Sequence, residues 1–201
     1  MNLCTRHPLC LPARRSLRYA AGLLALLAVL LPAAFAAPAP AIHASQSDVE
    51  AAYLYNFGKF VHWPNQKQLQ AMNICILGHD PFGASLDRIV AGERIDGLPL
   101  AVIRLKGPAE IKSCAMLFID RSEAPHLAQD LAALDDAPVM TVSDMPGFVE
   151  HGGMIQFVLE EDRIRFKVNL AAADKSGLIL SSQLLKVAVS VVGAPKTRAA
   201  K

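Results

Sequence analysis

The histidines and cysteines that could ligate a metal are scattered along this chain. No two of the histidines beyond residue 36 are four positions apart, the spacing that places two imidazoles on one helix face. The histidines beyond residue 36 are His43, His62, His79, His126 and His151. Neither an HExxH motif nor a cluster of cysteines accompanies them. The sequence therefore predicts no metal site.

Motifs for covalent, phosphoryl and acid–base chemistry are missing as well. There is no GxSxG elbow, and the glycine-bounded stretch 78–83 (GHDPFG) lacks the lysine of a phosphate-binding loop. It is typical of a turn from a strand into a helix. The acidic groups Asp135-Asp136 and 160–162 (EED) fall in predicted solvated turns. We therefore expect a binding protein rather than an enzyme, with no cofactor.

The N-terminal residues 1–36 have the pattern of a cleaved signal peptide. Several arginines precede an apolar stretch at 20–31, and the small residues of 34–36 (AFA) supply a cleavage site. A membrane anchor is the alternative, but this stretch is shorter than the roughly 18 to 20 residues needed to cross a bilayer. We expect an exported protein.

Two cysteines, Cys75 and Cys114, remain after the expected cleavage, because Cys4 and Cys10 leave with the leader. An even pair in an oxidising compartment favours a disulfide. The alternative is two buried free thiols. The formal net charge is only +2, and no run of Lys or Arg predicts a nucleic-acid partner.

Apolar runs alternate with helical patterns along the central part of the chain. We expect strands at 73–78, 98–105, 115–120 and 138–142, with helices at 48–62, from Asp80 to Gly92, and from Ser122. The first helix is predicted to start with a capping box between Ser47 and Glu50. This alternation predicts an α/β, three-layer sandwich with a mixed, largely parallel sheet.

The last third of the chain has a different pattern. The stretches 154–159 (MIQFVL) and 163–169 (RIRFKVN) flank an acidic turn, and apolar and charged residues alternate strictly in the second. They predict a C-terminal antiparallel hairpin with one solvated face. We assign 181–192 to a helix, although its valines also alternate as in a strand. The expected organisation is a flexible lead-in at 37–46, a single domain at 47–193 and a disordered tail at 194–201.

Several stretches together resemble the YfiR family of periplasmic proteins, also classified as a domain of unknown function. They occur in the order AAYLYNFGKFVHWP, ICILG followed by DPFG, CAMLFID, PVMTVSDMPGF, HGGMIQFV, RIRFKVN and SGLILSSQLLKVA. The resemblance covers about 49–189. Single motifs are weak signals, and their order and spacing together are specific.

The resemblance implies a periplasmic repressor that binds the outer-facing sensor domain of an inner-membrane diguanylate cyclase and limits cyclic-di-GMP synthesis. It also implies capture by an OmpA-like outer-membrane lipoprotein, release under reducing stress, and a homodimer. Cys75 and Cys114 fall where the family has a structural pair. The chain differs at Val149 and Gln156, where a second cysteine pair can occur, so a role that depends on that second bridge is not expected.

The candidate contacts are surfaces for a partner or a small ligand. One set lies around the aromatic helix, and we assign it to Tyr53, Tyr55, His62 and Trp63, together with Ser181 and Ser182 at the start of the last helix. Phe57 and Phe60 are at least as well explained as core. A second set on the hairpin comprises Ile155, Glu161 and Arg165, against the simpler interpretation of a solvated strand face. The alternative function is a periplasmic small-ligand sensor domain coupled to a membrane histidine kinase.

Overall fold

A mixed β-sheet of eight strands organises the described part of the chain, which in this computed structural model comprises residues 44–64 and 66–193. The strands along the chain are β1 (Val61–His62), β2 (Met72–Leu77), β3 (Arg94–Ile95), β4 (Leu98–Arg104), β5 (Met116–Ile119), β6 (Met140–Ser143), β7 (Ile155–Glu160), β8 (Arg163–Asn169), β9 (Ile179–Leu180) and β10 (Ser190–Val192). The sheet order is β10-β8-β7-β6-β5-β2-β4-β3, and β1 and β9 form a separate antiparallel pair.

Most neighbours in this sheet are parallel. Only the β7–β8 hairpin and the short β3–β4 pair are antiparallel. Helices cover both faces, and they are α1 (Gln46–Phe60), α2 (Ala84–Val90), α3 (Leu127–Leu134), α4 (Leu170–Lys175) and α5 (Ser182–Val187). The predicted α/β class, the largely parallel sheet and the antiparallel hairpin are confirmed.

The central strands are buried on both faces and so contribute to two cores. In β2, Ile74 and Ile76 face the core beneath α1, α2, α4 and α5, whereas Cys75 and Leu77 face the core beneath α3. Successive side chains of a strand point to opposite faces, so a continuous apolar run supplies both cores. The expected third layer is therefore present.

The start of α1 differs from the predicted one by two residues. The capping box joins Ser45 and Asp48: the Asp48 N–H donates to Ser45 Oγ (3.1 Å), and the Ser45 N–H donates to Asp48 Oδ2 (3.0 Å). Glu50, the predicted partner of Ser47, is instead buried under the helix. Its position on the helix face that meets the sheet explains why it does not reach back to the helix start.

The predicted starts of two other helices are also wrong. Asp80 does not cap a helix that includes Pro81: it accepts from the Phe82 and Gly83 N–H groups in a turn, and α2 begins only at Ala84. Arg104 holds the other Asp80 oxygen at 2.8 Å. Ser122 lies in a short 3-10 turn, its Oγ accepts from the His79 N–H, and α3 begins at Leu127.

The segment 181–192 is half helix and half strand. Ser181 caps α5 by accepting from the Leu184 N–H (3.2 Å), but the helix ends at Val187 and β10 follows. The prediction of one helix was wrong because β8 leaves an open sheet edge beside this segment. The Val189 N–H donates to Phe166 O (3.0 Å) at that edge, so pairing competes with helix continuation.

Three predicted segments lie wholly or mainly outside the described residues. They are the signal peptide at 1–36, the lead-in at 37–46, of which residues 44–46 are described, and the tail at 194–201. The single-domain boundary at 47–193 stays a prediction.

The disulfide between Cys75 and Cys114 is present. It joins the middle of β2 to Cys114, two residues before β5 begins, with the two Cα atoms 5.8 Å apart, and it closes a loop with a sequence separation of 39. Both cysteines are buried in the core beneath α3. The covalent bond therefore links neighbouring strands at the centre of the sheet.

Removal of this bond with the double substitution Cys75→Ala and Cys114→Ala is expected to lower the free energy of unfolding by about 3 to 4 kcal/mol, because the unfolded chain regains the entropy of the loop. Urea unfolding of the variant and of the oxidised protein measures the difference. An unchanged unfolding midpoint would contradict a stabilising bond.

Candidate functional site

The β1–β9 pair brings together two predicted contact regions that are far apart in sequence. His62 lies opposite Ile179, and the Ser181 N–H donates to Phe60 O (2.8 Å). His62 and Ser182 are exposed, and Ser181 is half-buried. The structure thus places His62, Ser181 and Ser182 in one region of the surface.

Exposed apolar side chains are concentrated in the same C-terminal segment. Among the described residues, five large hydrophobic side chains are exposed, and four of them lie between 179 and 192. These are Ile179, Val187, Val191 and Val192, whose exposed fractions range from 38% to 59%. We call these four residues the C-terminal apolar surface. Ile179 lies in β9 and Val187 in α5, whereas Val191 and Val192 follow one another in β10 and so point to opposite faces of that strand. Several exposed apolar side chains in one segment make it a candidate binding region.

Trp63 belongs mainly to the core. Its side chain is only 1% exposed, and its indole N–H donates to Ala115 O at 3.1 Å. Pro64 cannot continue the helix, and the chain has already entered β1 at Val61. The indole therefore points toward Ala115, the residue before the central strand β5. Trp63 does border an open groove of about 630 Å³, whose other walls include His62, Gln66 and Asp96.

The two predicted tyrosines are half-buried and already have partners within the chain. The Tyr53 ring packs among phenylalanines, 5.7 Å from both Phe57 and Phe166, and its hydroxyl donates to Ile164 O (3.3 Å). The Tyr55 hydroxyl donates to Glu93, and the Lys59 ammonium lies 3.9 Å from the centre of the Tyr55 ring. Both residues remain partly exposed.

The three predicted contact residues of the hairpin are not on one surface: one is buried and two are exposed. Ile155 is fully buried because it faces α1 from the inner side of β7, so it cannot touch a partner directly. Glu161 is exposed at the turn, where its φ of 49° is left-handed, and Arg165 is exposed on the outer face of β8. Glu161 and Arg165 border one shallow groove with Glu160 and Arg163.

Two buried acidic residues, Glu50 and Asp130, and the half-buried Asp144 were not identified from the sequence. Glu50 is 2% exposed and accepts from Gln46 Nε2 (2.8 Å), and Asp144 pairs with Arg121 at 2.7 Å. Asp130 is buried on α3. Burial raises the pKa of Glu50 to about 7 and also raises the pKa values of Asp144 and Asp130. The burial of Glu50 could have been predicted from the sequence, because Glu50 precedes Leu54 by one helical turn and so lies on the same apolar helix face.

Within 44–64 and 66–193, no group of three or more His, Cys, Asp or Glu side chains is arranged to hold a metal ion. No helix of this part of the chain is long and apolar enough to cross a membrane.

A model of the YfiR/HmsC-like family matches residues 47–189. The chain belongs to this family. Members of the YfiR/HmsC-like family are regulatory domains and not known enzymes, and membership supports a periplasmic regulator in the context of cyclic-di-GMP at the level of the family. The family is periplasmic, and the disulfide is consistent with export.

No curated protein matches this YfiR/HmsC-like chain by sequence. Among solved structures, it is similar to a conserved domain protein of Vibrio cholerae O1 biovar El Tor, with 13% identity and a TM-score of 0.49. The match covers 74% of this chain and 60% of that one. An ABC domain from Streptococcus pneumoniae, solved in complex with L-Trp, has 14% identity and a TM-score of 0.43, with 60% and 55% covered.

Trp63→Ala in this YfiR/HmsC-like protein is expected to lower the free energy of unfolding by about 3 to 5 kcal/mol, because it leaves a cavity in the core. It also removes one of the two hydrogen bonds to Ala115 O, which still accepts from the Met140 N–H (2.9 Å). The control His62→Ala changes an exposed neighbour and is expected to shift stability by about 0.5 kcal/mol or less. Urea unfolding of the two variants and the wild type measures these differences in stability. A Trp63→Ala protein with unchanged stability would return Trp63 to the candidate contact surface.

Glu50→Gln is expected to stabilise the protein by about 1 to 3 kcal/mol at pH 8. The unfolded carboxyl titrates near pH 4.5 and the folded one near pH 7, so between these values the native state holds a proton that the unfolded chain has released. Raising the pH through this window therefore lowers the stability of the wild type, and the deficit stays constant above it.

Unfolding free energies measured from pH 4 to pH 8 check this pH dependence. The advantage of Glu50→Gln is expected to vanish near pH 4, and the exposed control Glu110→Gln is expected to have no comparable effect. Equal stabilities of wild type and Glu50→Gln at pH 8 would show that the buried carboxylate carries no penalty.

Proposed function

We propose that this chain is a periplasmic regulatory binding protein that represses an inner-membrane diguanylate cyclase by direct contact with the periplasmic domain of the cyclase. The observations that carry the proposal are the exposed Ile179, which lies opposite His62 in the β1–β9 pair, and the exposed Val187, which lies on the same helix as Ser182. A regulator that acts by contact needs such a surface and needs no reactive constellation. Family membership supplies the cyclic-di-GMP context.

The contact surface that we propose combines the apolar residues with a polar border. Ile179 and Val187 supply apolar area, while His62 and Ser182 supply groups that can form hydrogen bonds at its edge. Protein interfaces commonly have an apolar centre and a polar rim. The proposal extends to capture by an OmpA-like outer-membrane lipoprotein, which would compete with the cyclase.

A homodimer is part of the same proposal. β10 is the edge strand of the sheet and pairs only with β8 among the described strands, and Val191 and Val192 on it are exposed. A free edge with apolar side chains is suited to contact with a second chain. The dimer would thereby cover part of the C-terminal apolar surface.

The groove of about 630 Å³ beside Trp63 favours a second candidate function. Its volume is within the range of small-molecule sites, and His62, Gln66 and Asp96 could bind polar groups of a ligand. This candidate is a periplasmic small-ligand sensor domain that acts through a membrane histidine kinase.

The test compares the wild type with Ile179→Asp and Val187→Asp for capture of proteins from solubilised membranes of the source organism. We expect the wild type to recover a protein with a diguanylate cyclase domain, and each variant to weaken this recovery about tenfold because it places a charge in the apolar surface. Ala128→Asp, an exposed change on α3 at the opposite face, serves as the matched control.

Cellular cyclic-di-GMP provides the second measurement. Deletion of the protein is expected to raise it, and Ile179→Asp is expected to raise it in the same direction. Recovery of a histidine kinase in place of a cyclase would favour the sensor function. Unchanged cyclic-di-GMP with no cyclase recovered would refute the proposed repression.

A further inference from the structure

The outer edge of β8 is only partly covered. β8 runs from Arg163 to Asn169, but β10 pairs with its last three residues, in the register Ser190 with Lys167 through Val192 with Asn169. On the β7 side the ladder continues to Arg163, which lies opposite Glu160. Within the described part of the chain, residues 163–165 therefore have a strand neighbour on one side only.

The backbone of Ile164 faces this uncovered edge. The Asn169 N–H donates to Met154 O (2.7 Å) across the hairpin. The backbone N–H and C=O groups of successive residues in an antiparallel strand point alternately to its two sides, so those of Arg163 and Arg165, like those of Asn169, point toward β7. Ile164 and Phe166 point theirs outward. Two contacts agree: Phe166 O accepts from the Val189 N–H, and Ile164 O accepts from the Tyr53 hydroxyl.

A groove of about 430 Å³ runs along the same edge. Its far wall is the first part of α1, including Val49 and Tyr53, and its near wall is the end of the hairpin. Leu159, which is 60% exposed, lies opposite Ile164 in the ladder and extends the apolar side. A strand added at this edge would lie about 4.8 Å from β8, on the side where the groove opens.

The two faces of this edge differ in chemistry. Ile164 and Leu159 share the face that meets α1, whereas the side chains of Arg163 and Arg165 lie on the opposite face and are exposed. Neither arginine forms an ion pair with a described residue. A strand added here would place its alternate side chains beside Val49, Tyr53 and Leu159 on one face and beside the arginines on the other.

We propose that this groove binds an extended peptide segment of a protein partner, with alternating acidic and apolar residues, which adds to the edge of β8 as a further strand. Main-chain pairing with the Ile164 N–H provides affinity, the apolar side chains pack on Leu159 and Val49, and the acidic ones pair with Arg163 and Arg165. Ile164 O can accept from the added strand as well as from Tyr53, because a carbonyl oxygen has two lone pairs. The inference rests on the proposed function only in that the segment belongs to a partner protein.

The probe for this groove is a dye-labelled synthetic peptide of alternating glutamate and valine. Fluorescence anisotropy with the full mature protein is expected to show saturable binding, and Arg165→Glu is expected to weaken it about tenfold because an attraction becomes a repulsion. Lys106→Glu, the same change of charge beyond β4 on the other side of the sheet, is expected to change affinity by about twofold or less.

Two further peptides test the mode of binding. A peptide of the same composition with its glutamates grouped at one end cannot match the two faces, and one with methylated backbone nitrogens at alternate residues cannot pair with the strand. Both are expected to bind at least about tenfold more weakly than the alternating peptide. Hydrogen exchange at the Ile164 amide is expected to slow when the alternating peptide is bound.

Equal binding of the alternating and grouped peptides, or exchange at Ile164 unchanged at saturation, would overturn the proposal. A second result would also overturn it: the protein does not bind the peptide, but it self-associates, and Arg165→Glu abolishes this self-association. That result would assign the edge to a second copy of the chain. These results can be distinguished from a failure of the proposed function. If the peptide binds as expected but cyclic-di-GMP does not respond to deletion, only the repressor function fails; if a cyclase is captured but the peptide does not bind, only the groove fails.

Discussion

The close packing of α1 on the sheet is the contact on which the rest of the structure depends. A Cβ atom at Gly58 would lie 2.5 Å from Ile95 Cδ1 and 3.3 Å from Met116 Cε, so a larger residue here would displace the ends of these two core side chains. The preceding residue, Phe57, packs against Phe157 and Phe166, with ring centres 5.8 and 5.0 Å away. This single helix therefore contacts both the parallel strands and the hairpin.

The position of α1 fixes both candidate contact regions. At its C-terminal end the chain continues directly into β1, which pairs with β9 and orients His62 toward Ile179 and Ser181. At its N-terminal end Val49 and Tyr53 form the wall opposite the open edge of β8. The cost of holding these ends in place includes the burial of Glu50, whose carboxyl retains its proton up to a pKa of about 7. Both surfaces are thus set by one packed helix, at its two ends.

A binding function is consistent with how polar groups are used in this fold. Arg104, at the end of β4, is held by Asp80 in the turn after β2 and by Asp87 on α2, and Arg121 after β5 is held by Asp144 after β6. These ion pairs therefore tie together the segments at the carboxyl ends of the central strands. Ser122 closes the space between two of these segments by accepting from the His79 N–H. The crevice that often holds ligands in α/β folds is therefore bridged by side chains, and the exposed apolar residues lie elsewhere.

The sequence by itself determined the class of the fold and the covalent framework. Short apolar runs with β-branched residues, such as 73–78, favour strands covered on both faces, and strict alternation in 163–169 indicates a strand with one solvated face. Two cysteines in an exported chain favour one bond. These patterns are local, so they can be recognised without knowing what packs against them. The motif order along the chain likewise identified the family.

Only the tertiary structure decided which side chains are available for contact. Trp63 and Ile155 were predicted to meet a partner, and both are buried. The turn after β1 directs Trp63 toward Ala115, and Ile155 lies on the inner face of β7, toward α1. The capping box belongs to Ser45 because the sheet draws Glu50 inward, and 190–192 became a strand because β8 offered an open edge. Each outcome depends on a neighbour distant in sequence, which no local pattern specifies.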